Sequence, residues 1–221
     1  AYVNNDPVDS VDPWGLAMAS SMVRRLSKSD LAAAGVERAL EPGTVITADR
    51  ALGQSEFERR YGFGDGMTPA SACQAVSLVN AYALDTPGGV SVESLDRAVA
   101  QWKKVGAIDV GGDNPGEVES WASMSQTLAR QLGQDSYLEF VYPLPEQVME
   151  VFTTETAFRS SGARMGIALL ANRATGGPHW VFMTPTRTID SMAPNALAVG
   201  YDSGKYRLQR IQTLQRLALG K

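Results

Sequence analysis

Met67 to Leu84 reads MTPASACQAVSLVNAYAL, and the reading of the fold turns on this stretch. Ser71 stands three residues before Gln74, the spacing of a capping box in which each side chain satisfies a backbone N–H at a helix start. Val76, Val79, Asn80 and Ala83 then recur along one helical face. Pro87-Gly88-Gly89 stop the helix. With Ser71 as the cap, Cys73 is the second helical residue.

Upstream of this helix the pattern is also helical. Leu16 to Leu26 (LAMASSMVRRL) has few strand formers, and Ser29 is placed to cap a short helix over DLAAAGVERAL, stopped by Glu41-Pro42-Gly43. Val45-Ile46-Thr47 suits a short strand, and Ser55 to Tyr61 a helix ending at Gly62 and Gly64. Downstream, Ser91 opens an amphipathic helix through Leu95, Val99 and Trp102, and Pro115 or Gly116 opens another through Trp121, Met124 and Leu128.

Beyond Gly162 the period becomes that of strands. Gly166 to Asn172 (GIALLAN), Trp180 to Ile189 (WVFMTPTRTI), Ala196 to Tyr201 (ALAVGY) and Lys205 to Ile211 (KYRLQRI) form a candidate antiparallel sheet, with Asp202-Ser203-Gly204 turning between the last two. Helices first and strands last predict an α+β domain.

The 221 residues are 44% hydrophobic, enough for one substantial core. A net charge of −4 builds in no general attraction to nucleic acid. The single cysteine closes no intrachain disulfide, and one Cys with one His falls short of a zinc set, so no metal or other cofactor is expected. No apolar run nears the roughly 20 residues of a membrane span, and no basic start with an apolar stretch marks a signal peptide, so no membrane partner is expected.

The only cysteine and the only histidine are where nucleophilic chemistry would use them. A thiol in the first turn of a helix meets unpaired N–H groups that favour the thiolate, the attacking species. His179 follows Gly176-Gly177-Pro178 and opens a strand, where a base facing a helix N-terminus would stand. A third residue must accept the other ring N–H. Asp202, at the end of the strand expected to pair with the histidine strand, is the first choice; Asp190 and Asn195 fall in what reads as the far hairpin loop. The Cys73 N–H is one oxyanion donor, and Gln54, Thr68 or Ser71 is the second.

Other features read as structural. Gly62-Phe63-Gly64-Asp65-Gly66 lacks the Lys-Ser/Thr of a phosphate loop and suits a lip beside the cysteine. Asp109 to Asn114 (DVGGDN) lacks EF-hand spacing and suits a surface loop. Arg24-Arg25 and Arg59-Arg60 suit solvated faces. Trp102, Trp121 and Trp180 fall on apolar faces, Trp180 beside the base.

Two resemblances add to this. Thr68 to Ala75 (TPASACQA), Pro178-His179-Trp180-Val181-Phe182 and Val199-Gly200-Tyr201-Asp202-Ser203-Gly204 resemble, in order and character, papain-like cysteine peptidases of the bacteriocin-leader-processing type. That resemblance implies a papain-like fold, with N-terminal helices including the nucleophile helix packed on a C-terminal antiparallel sheet. It also implies catalysis by Cys73, His179 and Asp202. The side-chain oxyanion donor that the family usually places before the cysteine is missing, since Met67 and Thr68 occupy those positions.

Tyr2 to Leu16 (YVNNDPVDSVDPWGL) resembles the end of the repeat core of Rhs (YD-repeat) proteins, where an NNPV-type stretch leads into DPxGL; the inserted Asp6 is a departure. This resemblance implies a junction over 1–16 and a toxin domain over 17–221, with Asp12 in the family's autoproteolytic machinery and Leu16 at its cut site. It also implies a secreted effector acting in the cytoplasm of a competing cell. The partners implied are a protein substrate in that cell, a cognate immunity protein and the Rhs shell. The expected activity is a cysteine protease. A glutamine deamidase or transglutaminase-like enzyme using the same three residues is the alternative, as is a non-catalytic toxin or binding module; acidic charge and one histidine disfavour a nuclease.

Overall fold

The computed structural model describes residues 40–63, 72–111, 115–141, 151–192 and 204–220. The junction over 1–16, the two helices expected before Leu40 and the strand expected over Ala196 to Tyr201 lie outside these residues. Among the described residues the chain runs β1 (Val45–Ile46), α1 (Gln54–Tyr61), α2 (Cys73–Asp85), β2 (Val90–Ser91), α3 (Val92–Lys104), α4 (Trp121–Gln131), β3 (Ser136–Phe140), β4 (Val151–Phe152), α5 (Glu155–Ser160), β5 (Gly166–Asn172), β6 (Pro178–Met183), β7 (Thr188–Asp190) and β8 (Tyr206–Ala218). The fold is α+β, as the order of patterns predicts.

Strands β3 to β8 form one antiparallel sheet in the order β3-β8-β5-β6-β7, with β4 also pairing to β8. β5 has the predicted bounds. β8 runs past the predicted Ile211 to Ala218, because its second half finds a partner in β3, which the sequence pattern did not announce. β1 and β2 make a separate two-stranded ribbon.

The stretch expected as one strand, Trp180 to Ile189, is a hairpin. Pro185 has no N–H to give a ladder, and the chain turns there: Thr184 N–H donates to the Arg187 carbonyl at 2.8 Å, and the Thr184 hydroxyl accepts from the backbone of Thr186 and Arg187. Residues 188–190 therefore return alongside β6, with Asp190 opposite Val181.

Helix α2 lies against β6 and is buried far beyond one face. Ala75, Val76, Leu78, Val79, Ala81 and Tyr82 are all fully buried. The Ser77 hydroxyl donates to the Trp180 carbonyl at 3.2 Å, fastening the helix to the strand. At its far end Asp85 accepts from Arg216 of β8 at 2.6 Å. The Tyr82 hydroxyl accepts from Leu138 N–H at 3.0 Å and meets Ser125 at 2.9 Å, joining α2, α4 and β3. Trp102 and Trp121 are core residues as expected, and each indole N–H is satisfied by a backbone carbonyl.

Helix starts differ from expectation at two places. The N-cap of α2 is Ala72, with no side-chain cap, so Cys73 is the first helical residue; Ser71 lies outside the described residues. Helix α4 starts at Trp121, where the Ser120 side chain accepts from Ser123 N–H, and not at Pro115 or Gly116. Gly116 belongs instead to a turn closed by an Ile108–Val118 bridge. Its φ of +90° suits glycine, and a Cβ there would lie 3.1 Å from Ala72 Cβ, so this turn sits on the cap of α2. Arg60, expected as a solvated cation, instead pairs with Asp96 at 2.7 Å and joins α1 to α3.

Asn80 holds the chain before α1. Its side-chain oxygen accepts from Leu52 N–H at 2.7 Å and its amide donates to the Leu52 carbonyl at 3.1 Å, all in the interior. Asn80→Ala would strand two buried backbone groups, so we expect a loss of about 2–4 kcal/mol in urea unfolding. A loss under about 0.5 kcal/mol would contradict this clamp.

Candidate active site at the start of helix α2

Cys73, at the first position of α2, is 7% exposed, and His179, the second residue of β6, is 5% exposed. The thiol and the imidazole are hydrogen-bonded to each other. His179 Nε2 lies 2.7 Å from Asp190 Oδ1. Because Nε2 is committed to the carboxylate, Nδ1 is the ring nitrogen left for the thiol. The three side chains form a continuous chain, carboxylate to imidazole to thiol.

The electrostatics follow from this contact. Burial pulls the imidazole pKa down, but the hydrogen bond the ring gives to Asp190 and its bond with Cys73, together with the electrostatic pull of both, outweigh it and push the ring up to about 9. Burial pulls Asp190 the other way, toward protonation. The His179 contact, the Met192 N–H that donates at 2.9 Å and the nearby Lys205 charge hold it below the usual carboxylate range.

Tyr206, the first residue of β8, completes the support of the ring. Its ring stacks on His179 with centroids 5.0 Å apart and planes 24° apart. Tyr206 is itself buried, and its hydroxyl reaches Met192 Sδ at 3.7 Å. No sequence signal singled it out, because a tyrosine opening a strand is ordinary; the pairing of Asn172 with Tyr206 puts it one strand away from β6, across β5, within stacking reach of His179. Met192 is 59% exposed and forms an apolar edge beside Asp190.

The sequence expectations divide into three groups. Cys73 and His179 are brought together. Asp202 lies outside the described residues, as do Asn195, Thr68 and Ser71. Asp190, expected in a far hairpin loop, sits in β7 and holds the imidazole; the unrecognised turn at Pro185 displaced it in the sequence reading. Gln54 is at the start of α1 against Ser191: its N–H donates to the Ser191 carbonyl at 2.7 Å, and its side-chain amide donates to Glu58 at 2.6 Å. In this structure, then, that amide is directed to Glu58.

Among the described residues no group of three or more His, Cys, Asp or Glu side chains is arranged to hold a metal ion, and no helix is long and apolar enough to cross a membrane. No protein-family model, no curated protein and no solved structure matches the chain.

Since the chain has one histidine, its ring protons report one titration by NMR. We expect that midpoint at about 9, so that the ring is charged at neutral pH and loses its proton only in alkali. Asp190→Asn removes the anionic partner and lowers it. A wild-type midpoint at the ordinary histidine value of about 6.5 would exclude the contact.

Proposed function

We propose that this chain is a papain-like cysteine peptidase and that it serves as the toxin domain of an Rhs-type polymorphic toxin. The observation that carries the enzymatic part is the Asp190–His179–Cys73 chain, closed at 2.7 Å on the carboxylate side and by the thiol contact on the other. The toxin setting is supported by the Rhs-like residues Tyr2 to Leu16.

In this mechanism the Cys73 thiolate, paired with the charged His179 ring, attacks a peptide carbonyl, and the tetrahedral oxyanion forms beside the α2 N-terminus, whose N–H groups favour negative charge. The His179 ring, charged at neutral pH, delivers its proton to the leaving amine. The neutral ring then takes a proton from water, and the resulting hydroxide attacks the thioester, releasing the acid product and the Cys73 thiolate beside the recharged ring. Asp190 stabilises the charged ring, and Tyr206 holds its plane. Asp190 takes the orienting role first assigned to Asp202. The implied partners are a protein substrate in the cytoplasm of a competing cell, a cognate immunity protein and the Rhs shell.

Cys73→Ala, expressed in a susceptible bacterium, should remove toxicity while leaving the fold intact. Wild-type protein mixed with a target proteome should give new peptide termini by mass spectrometry. Modified glutamines with no new termini would assign the same site to a deamidase, and a folded, fully toxic Cys73→Ala would end the enzymatic reading. With a cleavable peptide, kcat/KM should fall at alkaline pH as His179 loses its proton through about 9, and Asp190→Asn should lower kcat/KM about 10²–10⁴-fold.

A further inference from the structure

Methionines in the described residues differ sharply in their access to solvent. Met124, Met165 and Met183 are buried, at 0%, 5% and 0% exposure, whereas Met192 is 59% exposed. A thioether that water reaches is also one that a peroxide reaches. Oxidation to the sulfoxide replaces a soft apolar sulfur, a weak acceptor, with a polar oxygen that accepts strongly.

Met192 is joined to the catalytic group through both its backbone and its side chain. Its N–H donates at 2.9 Å to Asp190 Oδ1, the same oxygen that lies 2.7 Å from His179 Nε2. Its sulfur accepts from the Tyr206 hydroxyl at 3.7 Å, and the Tyr206 ring stacks on the imidazole. The Lys205 side chain also bonds to that tyrosine, with Nζ 5.2 Å from the ring centre. Tyr206 is buried, so its ring has little free space in which to turn. A change at the sulfur is therefore met first by Tyr206 and then by the imidazole stacked against it.

We propose that Met192 is an oxidation site, and that a peroxide converting it to the sulfoxide loosens the hold on His179. In this step the sulfur lone pair attacks one oxygen of hydrogen peroxide. The S–O bond forms as the O–O bond breaks, the sulfur loses two electrons to the peroxide, and the second oxygen leaves as water with both protons. The new oxygen draws the Tyr206 hydroxyl toward itself, and its hydration favours a more exposed Met192. Stacking on the imidazole and the Asp190 contact weaken together, because the same residue bears on both. The inference goes beyond the peptidase reading and holds whichever bond Cys73 attacks.

The test uses the full chain as Cys73→Ala, in which no thiol competes for the oxidant, since Cys73 is the single cysteine. Isotope-labelled methionine methyl groups report each sulfoxide by NMR, and the single histidine reports its own titration in the same samples. Under dilute hydrogen peroxide we expect Met192 to oxidise well before Met124, Met165 and Met183. As it does, the His179 midpoint should fall by about half a pH unit or more, a change of about 0.7 kcal/mol between the two protonation states. Methionine sulfoxide reductases should restore it. Met192→Leu, which keeps an apolar side chain without the sulfur, should hold its own midpoint through the same treatment.

Full conversion of Met192 with the midpoint unmoved overturns the inference. So does a Met192 that oxidises no faster than the buried methionines, or a shift that persists in Met192→Leu and so originates at another methionine. A midpoint that falls only because the chain unfolds, seen as collapsed dispersion of the methyl signals, overturns it as well. None of these outcomes bears on the peptidase reading, which stands or falls with the toxicity of Cys73→Ala.

Discussion

The burial of helix α2 is the constraint on which the rest of the structure depends. A helix with one apolar face can rock or slide on its sheet; α2 is enclosed from Ala75 to Ala83 and does neither. Ser77 ties its first half to β6, and Asp85 ties its last residue to β8. Between these fastenings the helix axis and rotation are determined, and with them the direction in which Cys73 points. Gly116 adds a stop at the cap, leaving Ala72 no space to move outward.

The supports of His179 follow the same logic from the sheet side. Asp190 comes from the adjacent strand of a hairpin, and Tyr206 from the start of the longest strand. Gln54 contributes through the backbone, tying α1 to the residue after Asp190. Asn80 then joins that segment back to α2. Thiol, imidazole and carboxylate therefore belong to one mechanically closed circuit, and strain at any joint would be felt at the others.

The α+β class, the bounds of β5 and the pairing of the unique cysteine with the unique histidine were legible from residue types and period. The carboxylate was not. A run such as WVFMTPTRTI has strand formers on both sides of Pro185, and only the hydrogen bonds of Thr184 show that it folds back. Nor was Tyr206 legible, since its value depends on which strands become neighbours, and pairing partners are not encoded in local pattern. The cap of α2 slipped by one residue for a related reason. Ser71 and Gln74 satisfy a local motif, yet packing by the turn at Gly116 bears directly on Ala72.

The hairpin and the helix also bear on when the site comes into being. Ser77 and its acceptor on Trp180 are 103 residues apart in the chain, and Gln54 and Ser191 are 137 apart. Contacts at such separation carry a large loop-closure cost and consolidate late, after more local structure has formed. An extended or partly folded chain would thus hold a lone thiol and a lone imidazole, each with ordinary reactivity. Long-range topology thus makes the contact between Cys73 and His179 a consequence of completed folding and not of any local segment.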